Sequence, residues 1–408
     1  MKRSIRTLLA IALLFLFSRL GVLPVFGLQS SQSLPSYGVV ALRVIAQRPY
    51  VEGARIMVNG SEFVPIGVIK GWSVVYYKTN GYPPTNWPDE TEGVYNLLND
   101  PSTLERETKF NIVMLAENRW LWENDPNYIP ALHDIVEMCT KRGLYVIIRY
   151  HEWINRDDGS PEFDEEYMTW EDKVDIIVEL DGWRDHVVSI AEEFKDKPTV
   201  IGIAPLNEPT PLNKGWTAKG YTAEEAQEIW HNHSLQIVDA IHAVDSSYII
   251  FIPPKLGYYT LTDAVPWSRP NIVYCVHWYY GWDTEYNNDY ADVYWNAKTE
   301  EDFQDAYSVM VDHYQRQMLD FSERYNVPVM NSETSMCKVS YKTGNPCKNT
   351  ERQFQDQMRL GAEKGFGQLY WQHDRNKNDR YWGLLDLSNP ETWSEGGSLV
   401  KEAVNKYY

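Results

Sequence analysis

Hydrophobic positions along this chain alternate between two patterns. Eight short runs, rich in Val and Ile, are apolar at consecutive positions: 63–70, 111–117, 144–151, 199–205, 248–253, 271–277, 328–333 and 365–371. Runs of this kind predict strands that are covered on both faces. Each is followed by a polar loop and then by apolar residues at helical spacing. Residues 128–142 stop at Gly143, a suitable helix end. Residues 224–244 place Ala226, Trp230, His233, Ile237 and Ile241 on one face, and residues 302–325 do the same with Phe303, Tyr307, Met310, Tyr314, Met318 and Phe321. Strand–helix units repeated eight times predict an α/β protein, a single (β/α)8 TIM barrel. A doubly wound open sheet is the alternative, yet no glycine-rich phosphate loop follows any strand. Ahead of the first strand, 55–58 and 62–65 flank Asn59-Gly60, a strong hairpin signal. That hairpin is expected to close the barrel floor.

The N-terminus follows a different logic. Lys2, Arg3 and Arg6 precede an unbroken apolar run from Leu8 to Phe17, and Val25 and Gly27 suit a cleavage site. Residues 1–28 therefore read as a secretory signal. A retained membrane anchor is the alternative, although Arg19 and Pro24 are poor occupants of a bilayer core. Residues 29–38 form a short linker, and 39–408 are assigned to the barrel. Cysteine usage agrees with an oxidising compartment. Cys337 and Cys347 enclose the turn-rich Gly344-Asn345-Pro346 and are expected to bond, whereas Cys139 and Cys275 sit in apolar surroundings as buried thiols.

Composition narrows the chemistry. The 408 residues are 43% hydrophobic and 23% charged, ordinary for a globular protein. With 38 Lys plus Arg against 57 Asp plus Glu, the net charge of −19 repels phosphate backbones and argues against nucleic acid as a partner. The 16 Trp and 28 Tyr supply flat amphipathic rings that suit sugar faces.

In barrels of this kind the reactive groups gather where strands end. Those positions hold Glu117, His151-Glu152, Asn207-Glu208-Pro209, His277-Trp278-Tyr279, Glu333, and Trp371 with Asp374. A His-x-His pair on the first strand is lacking, as is a Gly-x-Ser-x-Gly elbow, so neither a metal-dependent hydrolase nor a serine esterase is favoured and no cofactor or metal is expected. Paired carboxylates among aromatics fit glycoside cleavage, where one donates a proton and the other attacks.

Leu206-Asn207-Glu208-Pro209 resembles the Asn-Glu-Pro motif of clan A glycoside hydrolases. The preceding segment 183–198, Val276-His277-Trp278-Tyr279, Glu333 after Val327-Pro328-Val329-Met330, Trp371, and Gly383-Leu384-Leu385-Asp386 are similar to glycoside hydrolase family 5, in order and on the right strands. The resemblance implies Glu208 as general acid/base and Glu333 as nucleophile. It implies that Asn207 holds the sugar 2-hydroxyl, that His277 and Tyr279 bond around the glutamates, that His151 contacts a hydroxyl, and that Trp371 floors the central subsite. Trp278 is expected to line the same groove, with Trp120, Trp122, Trp153 and Trp382 on nearby loops.

Three positions depart from the family pattern. Met114 stands where an arginine is usual on the second strand, Arg149 where an aspartate is usual on the third, and Glu333 lies in Asn331-Ser332-Glu333-Thr334-Ser335. Strand side chains alternate, so Arg149 should point inward with His151 and take over the missing arginine's role. The resemblance implies a retaining hydrolase of a neutral β-linked polysaccharide, foremost an endo-β-1,4-glucanase of cellulase type; the N-terminal signal makes it secreted, and a monomer is expected. Membrane contact is expected only if the N-terminal segment is retained. A mannanase and an exo-acting or glycolipid-directed relative are alternatives. A barrel that binds carbohydrate without catalysis is a reading of another class, which the presence of both glutamates opposes.

Overall fold

The computed structural model describes residues 47–70, 108–124, 126, 128–151, 169–279, 289–339, 345–371, 384–386 and 389–408. The expected signal and linker, 1–28 and 29–38, lie outside them. Each of the eight apolar runs contains a barrel strand: β4 (Ile66–Lys70), β5 (Ile112–Glu117), β6 (Tyr145–Tyr150), β7 (Val200–Ala204), β8 (Ile249–Ile252), β9 (Ile272–His277), β10 (Val329–Thr334) and β11 (Gly367–Tyr370). Each pairs in parallel with the next, and β11 returns to β4, so the barrel is closed. Closure leaves no open sheet edge, which excludes the doubly wound alternative.

Helices cover the outside. Among the described residues the α-helices are α1 (Arg119–Asn124), α2 (Tyr128–Lys141), α3 (Trp170–Val178), α4 (Leu180–Phe194), α5 (Ala223–Val244), α6 (Asp289–Asn296), α7 (Glu300–Tyr314), α8 (Asp320–Tyr325), α9 (Thr350–Lys364) and α10 (Glu395–Tyr407). Thr169, Thr222 and Thr299 start α3, α5 and α7 with reciprocal capping boxes, and Gly365 at φ +74° ends α9. One expected unit differs. Residues 253–271, between β8 and β9, contain no helix. Pro253, Pro254, Pro266 and Pro270 interrupt that stretch, each removing a backbone donor.

Two apolar layers result from the strand alternation. Val113, Leu115, Val146 and Ile148 pack outward against the helices, while Ile112, Met114, Ile147, Phe251 and Cys275 fill the barrel. Strands β1 (Tyr50–Glu52), β2 (Arg55–Val58) and β3 (Ser61–Glu62) form an antiparallel sheet around the Asn59-Gly60 turn, where φ is +51° and +75°. Ile56, Val58 and Phe63 join the inner cluster, and the Phe63 ring meets Tyr145 edge-on at 5.1 Å. Since Tyr145 begins β6, the hairpin plugs the N-terminal end of the barrel. Arg48 ties the preceding segment there: it donates to the carbonyls of Phe194 (3.1 Å), Lys195 (2.6 Å) and Val200 (2.8 Å), pairs with Asp245, and lies over Tyr248.

Candidate active site

At the opposite end, the strand termini bring the expected carboxylates together. Inward alternation along β6 sends Arg149 and then His151 towards the mouth, and along β9 it sends His277 there. Glu208 follows β7 with a left-handed backbone, φ +43°. Glu333 needs a further device. Met330 packs inside the barrel, so strict alternation would turn residue 333 outward. A register shift between Asn331 and Glu333, where β10 pairs with β9, re-aims it.

The polar contacts are dense. Arg149 Nη1 donates to Glu333 Oε2 at 2.6 Å, with side-chain exposures of 2% and 8%. Tyr279 donates its hydroxyl to Glu333 Oε1. His277 Nδ1 lies 3.0 Å from Glu208 Oε1 and 3.7 Å from Glu333 Oε2. Ligand atoms of Glu208, His277 and Glu333 all fall within 4.8 Å of one another, so an oxygen of each carboxylate is that close to the other. Such a trio could in principle hold a cation. The Arg149 guanidinium already occupies one Glu333 oxygen, however, and a metal ion would sit against that positive charge. The arrangement suits two carboxylates with separate partners.

Those partners set the charges. Burial pushes the Glu208 carboxyl up, but the hydrogen bond and charge of His277, with Lys173 and Arg149 behind, outweigh it and hold the group below its ordinary value. Burial, reinforced by Arg149, Lys173 and His277, pushes His151 far down, so it is neutral near pH 7. His151 stacks on Trp371 at 5.6 Å between ring centroids, and the Arg149 guanidinium carbon lies 5.8 Å from the same indole. Asn207 is fixed by its N–H to the Tyr150 carbonyl at 2.9 Å, while its buried Oδ1 has no partner among the described residues. A cavity between these groups is lined by Met114, Arg149, Asn207, Glu208, Tyr258 and His277. The sequence reading did not single out Tyr258, which comes from the irregular 253–271 loop and touches the His277 ring at 5.1 Å.

The family model described as cellulase (glycosyl hydrolase family 5) matches residues 96–377. The chain belongs to glycosyl hydrolase family 5. It is accordingly a glycoside hydrolase. No curated protein sequence matches it. Among solved structures it is similar to a β-glucanase from Saccharophagus degradans, at 17% identity over 92% of this chain and 98% of that one, with a TM-score of 0.59. It is also similar to an endocellulase from Pyrococcus horikoshii in complex with cellotetraose (15% identity, 87% and 98% covered, TM-score 0.57) and to a β-mannanase from Streptomyces thermolilacinus with mannohexaose (16%, 88% and 94%, TM-score 0.53). At these identities the likeness concerns the fold.

Several expected residues of this family 5 chain lie elsewhere. Trp278 does not line the mouth. It is 3% exposed, packs edge-on against His313 and Tyr314 at 5.3 and 4.4 Å, and donates its indole N–H to the Tyr259 carbonyl. Its neighbour His277 points inward, so Trp278 must point outward, beneath α7. Glu117 is likewise on the outer face of β5, buried and 2.7 Å from His186 Nε2, because Met114 faces in. Trp122 lies on α1 rather than in a loop and meets the His186 ring at 5.9 Å. Glu152, Trp153, Asp374 and Trp382 are outside the described residues, as is the Trp120 side chain. Past the end of β10, Cys337 and Cys347 are bonded with Cα atoms 5.9 Å apart, and burial pushes the free thiols of Cys139 and Cys275 up to about 12.

Proposed function

We propose that this family 5 enzyme is a secreted retaining endo-β-1,4-glucanase, with Glu208 as acid/base and Glu333 as nucleophile. The proximity of the two carboxylates, with oxygens within 4.8 Å, carries the reading, since inverting sites hold their carboxyl groups ~6.5–9.5 Å apart to admit water. Glu333, held by Arg149 and Tyr279, attacks the anomeric carbon, while Glu208 gives its proton to the departing oxygen. Water then attacks the glycosyl-enzyme, Glu208 takes that water's proton, and the Glu333 carboxylate leaves. Asn207 Oδ1 is placed to accept from a sugar hydroxyl, and Trp371 with His151 stacked on it offers a flat floor.

Because His277 and the neighbouring cations hold Glu208 below its ordinary value, its proton is lost early as pH rises, and the enzyme should work best on the acidic side of neutrality. The basic start Lys2, Arg3, Arg6 and the apolar run behind it support secretion. Glucan, mannan and xylan offered in parallel test the substrate. Cello-oligosaccharides of retained anomeric configuration, and a fluoro-sugar adduct on Glu333 seen by mass spectrometry, are expected. Products from mannan alone would overturn the glucan assignment, and inverted products would overturn the mechanism.

A further inference from the structure

Helix α3 presses its first turn against the loop that carries Glu208. Trp170 and Lys173, three residues apart, face the same way. Lys173 is only 4% exposed. Its ammonium donates to the Glu208 carbonyl at 3.3 Å and lies 4.7 Å from the centre of the Trp170 ring. One residue past Pro209, Thr210 donates its hydroxyl to the Trp170 carbonyl at 3.1 Å. The fit is tight enough that a Cβ on Gly215 would come within 2.4 Å of that carbonyl oxygen. Two hydrogen bonds with one helical turn, given by Lys173 from the helix and by Thr210 from the loop, thus fasten residues 208–210, where Glu208 adopts a backbone that side-chain-bearing residues rarely take.

A lysine is seldom buried, because desolvating its charge is costly unless that charge has a role. We propose that Lys173 is a positioning residue for the acid/base: from α3 it pins the Glu208 carbonyl, fixing the left-handed backbone that aims the carboxylate at Glu333, and sets a positive charge beside it. The proposal rests on Glu208 being the acid/base. Among the described residues, the charged and titratable groups around Glu208 are His277 from β9, Arg149 and His151 from the β6 end, Glu333 from β10, Lys173 from α3 and Tyr258 from the 253–271 loop. The Lys214 ammonium lies 5.0 Å from the centre of the Trp170 ring. Burial raises Glu208, and His277, Lys173 and Arg149 in that order lower it, so removing Lys173 must let the carboxyl keep its proton to higher pH.

The full-length enzyme carrying Lys173→Met or Lys173→Arg tests this. Kinetics are measured against pH on the oligosaccharide that the substrate panel identifies and on its dinitrophenyl glycoside, whose leaving group needs no proton. Lys173→Met should lose tenfold or more in kcat/KM on the oligosaccharide, far less in kcat/KM on the dinitrophenyl glycoside, and shift the alkaline limb of kcat/KM to higher pH. Lys173→Arg should restore most of both. Equal losses on the two substrates with an unmoved limb, or unchanged kinetics, would overturn the proposal. Should the Met variant fail to fold, Lys173→Gln, which keeps a donor without a charge, makes the same comparison. Glu208→Gln separates the readings: it must show the leaving-group selectivity at full strength. If it cleaves the oligosaccharide normally, the acid/base assignment itself falls, whatever Lys173 does.

Discussion

Arg149→Met keeps a long apolar stem inside the barrel but removes the cation that touches Glu333. The guanidinium lies 2.6 Å from Glu333 Oε2, deep in the site. Breaking a buried pair from one side costs about 3–5 kcal/mol, because the remaining charge is left uncompensated. Tyr279 still donates to Oε1, and His277 stays 3.7 Å from Oε2, so the lower end, about 3 kcal/mol, is the expected loss. For a folded unit of this size, Leu42–Tyr408, an unfolding entropy of ~2.1 cal/mol/K per residue sums to roughly 0.8 kcal/mol/K, so Tm should fall by about 4 °C. With Glu333 as the proposed nucleophile, the same contact would orient the attacking oxygen, and turnover should drop by about a hundredfold if the loss reaches the transition state. Calorimetry and steady-state kinetics on Arg149→Met, Glu333→Gln and the double variant measure both. The double variant, with neither charge buried alone, should be more stable than the sum of the single losses implies. Additivity within ~0.5 kcal/mol, or Arg149→Met with wild-type turnover and Tm, would refute the electrostatic account.

His277→Gln removes the largest influence holding Glu208 down, so the alkaline limb of kcat/KM should move to higher pH as kcat falls; a fixed limb would show that another group sets it. Trp278→Ala and Trp371→Ala should part company. The first empties an outer-layer pocket and should cost ~3–5 kcal/mol of stability with KM little changed, whereas the second, at a ring buried in the inner cluster beside His151, should lower stability and also depress activity. A Trp278 variant with raised KM and normal Tm would reverse that placement. Arg48→Ala strips several charged hydrogen bonds from the barrel floor and should lower stability by ~2–3 kcal/mol, about 3 °C, with kcat unchanged. Lost activity at a normal melting temperature would tie the floor to the site.

The barrel was legible because parallel strands buried on both faces must be apolar at consecutive positions, and all eight runs carried that mark. The missing fifth helix was legible too, in the four prolines of 253–271, but the expectation of a regular repeat hid it. Facing is where reading by motif failed. Trp278 sits inside a recognisable motif, and the motif drew it to the mouth although alternation from His277 sends it outward. Glu117 ends a strand at the right height and faces the wrong way for the same reason. Glu333 is the converse case. Alternation from Met330 would have excluded it, and only the register shift at Asn331 turns it inward, a feature that no residue type announces. Lys173 left no signal in the sequence, since its partner is a backbone carbonyl on a distant loop.

Arg149 shows what a sequence can reveal once geometry is imposed on it. The resemblance expects an arginine on the second strand, where Met114 stands, and an absence of that kind looks like a lost function. In the barrel, β5 and β6 are neighbours in register, with Met114 opposite Ile147 and Ala116 opposite Arg149. Residue 149 therefore faces the same interior as residue 114, one strand over and two residues nearer the mouth, and both line one cavity. Adjacent strands are ~4.8 Å apart, well within the reach of an arginine side chain. A guanidinium on either strand can thus meet a carboxylate that emerges from β10. The closed barrel lets neighbouring strands present a cation at one place, and Arg149 on β6 donates to Glu333 where β5 carries Met114.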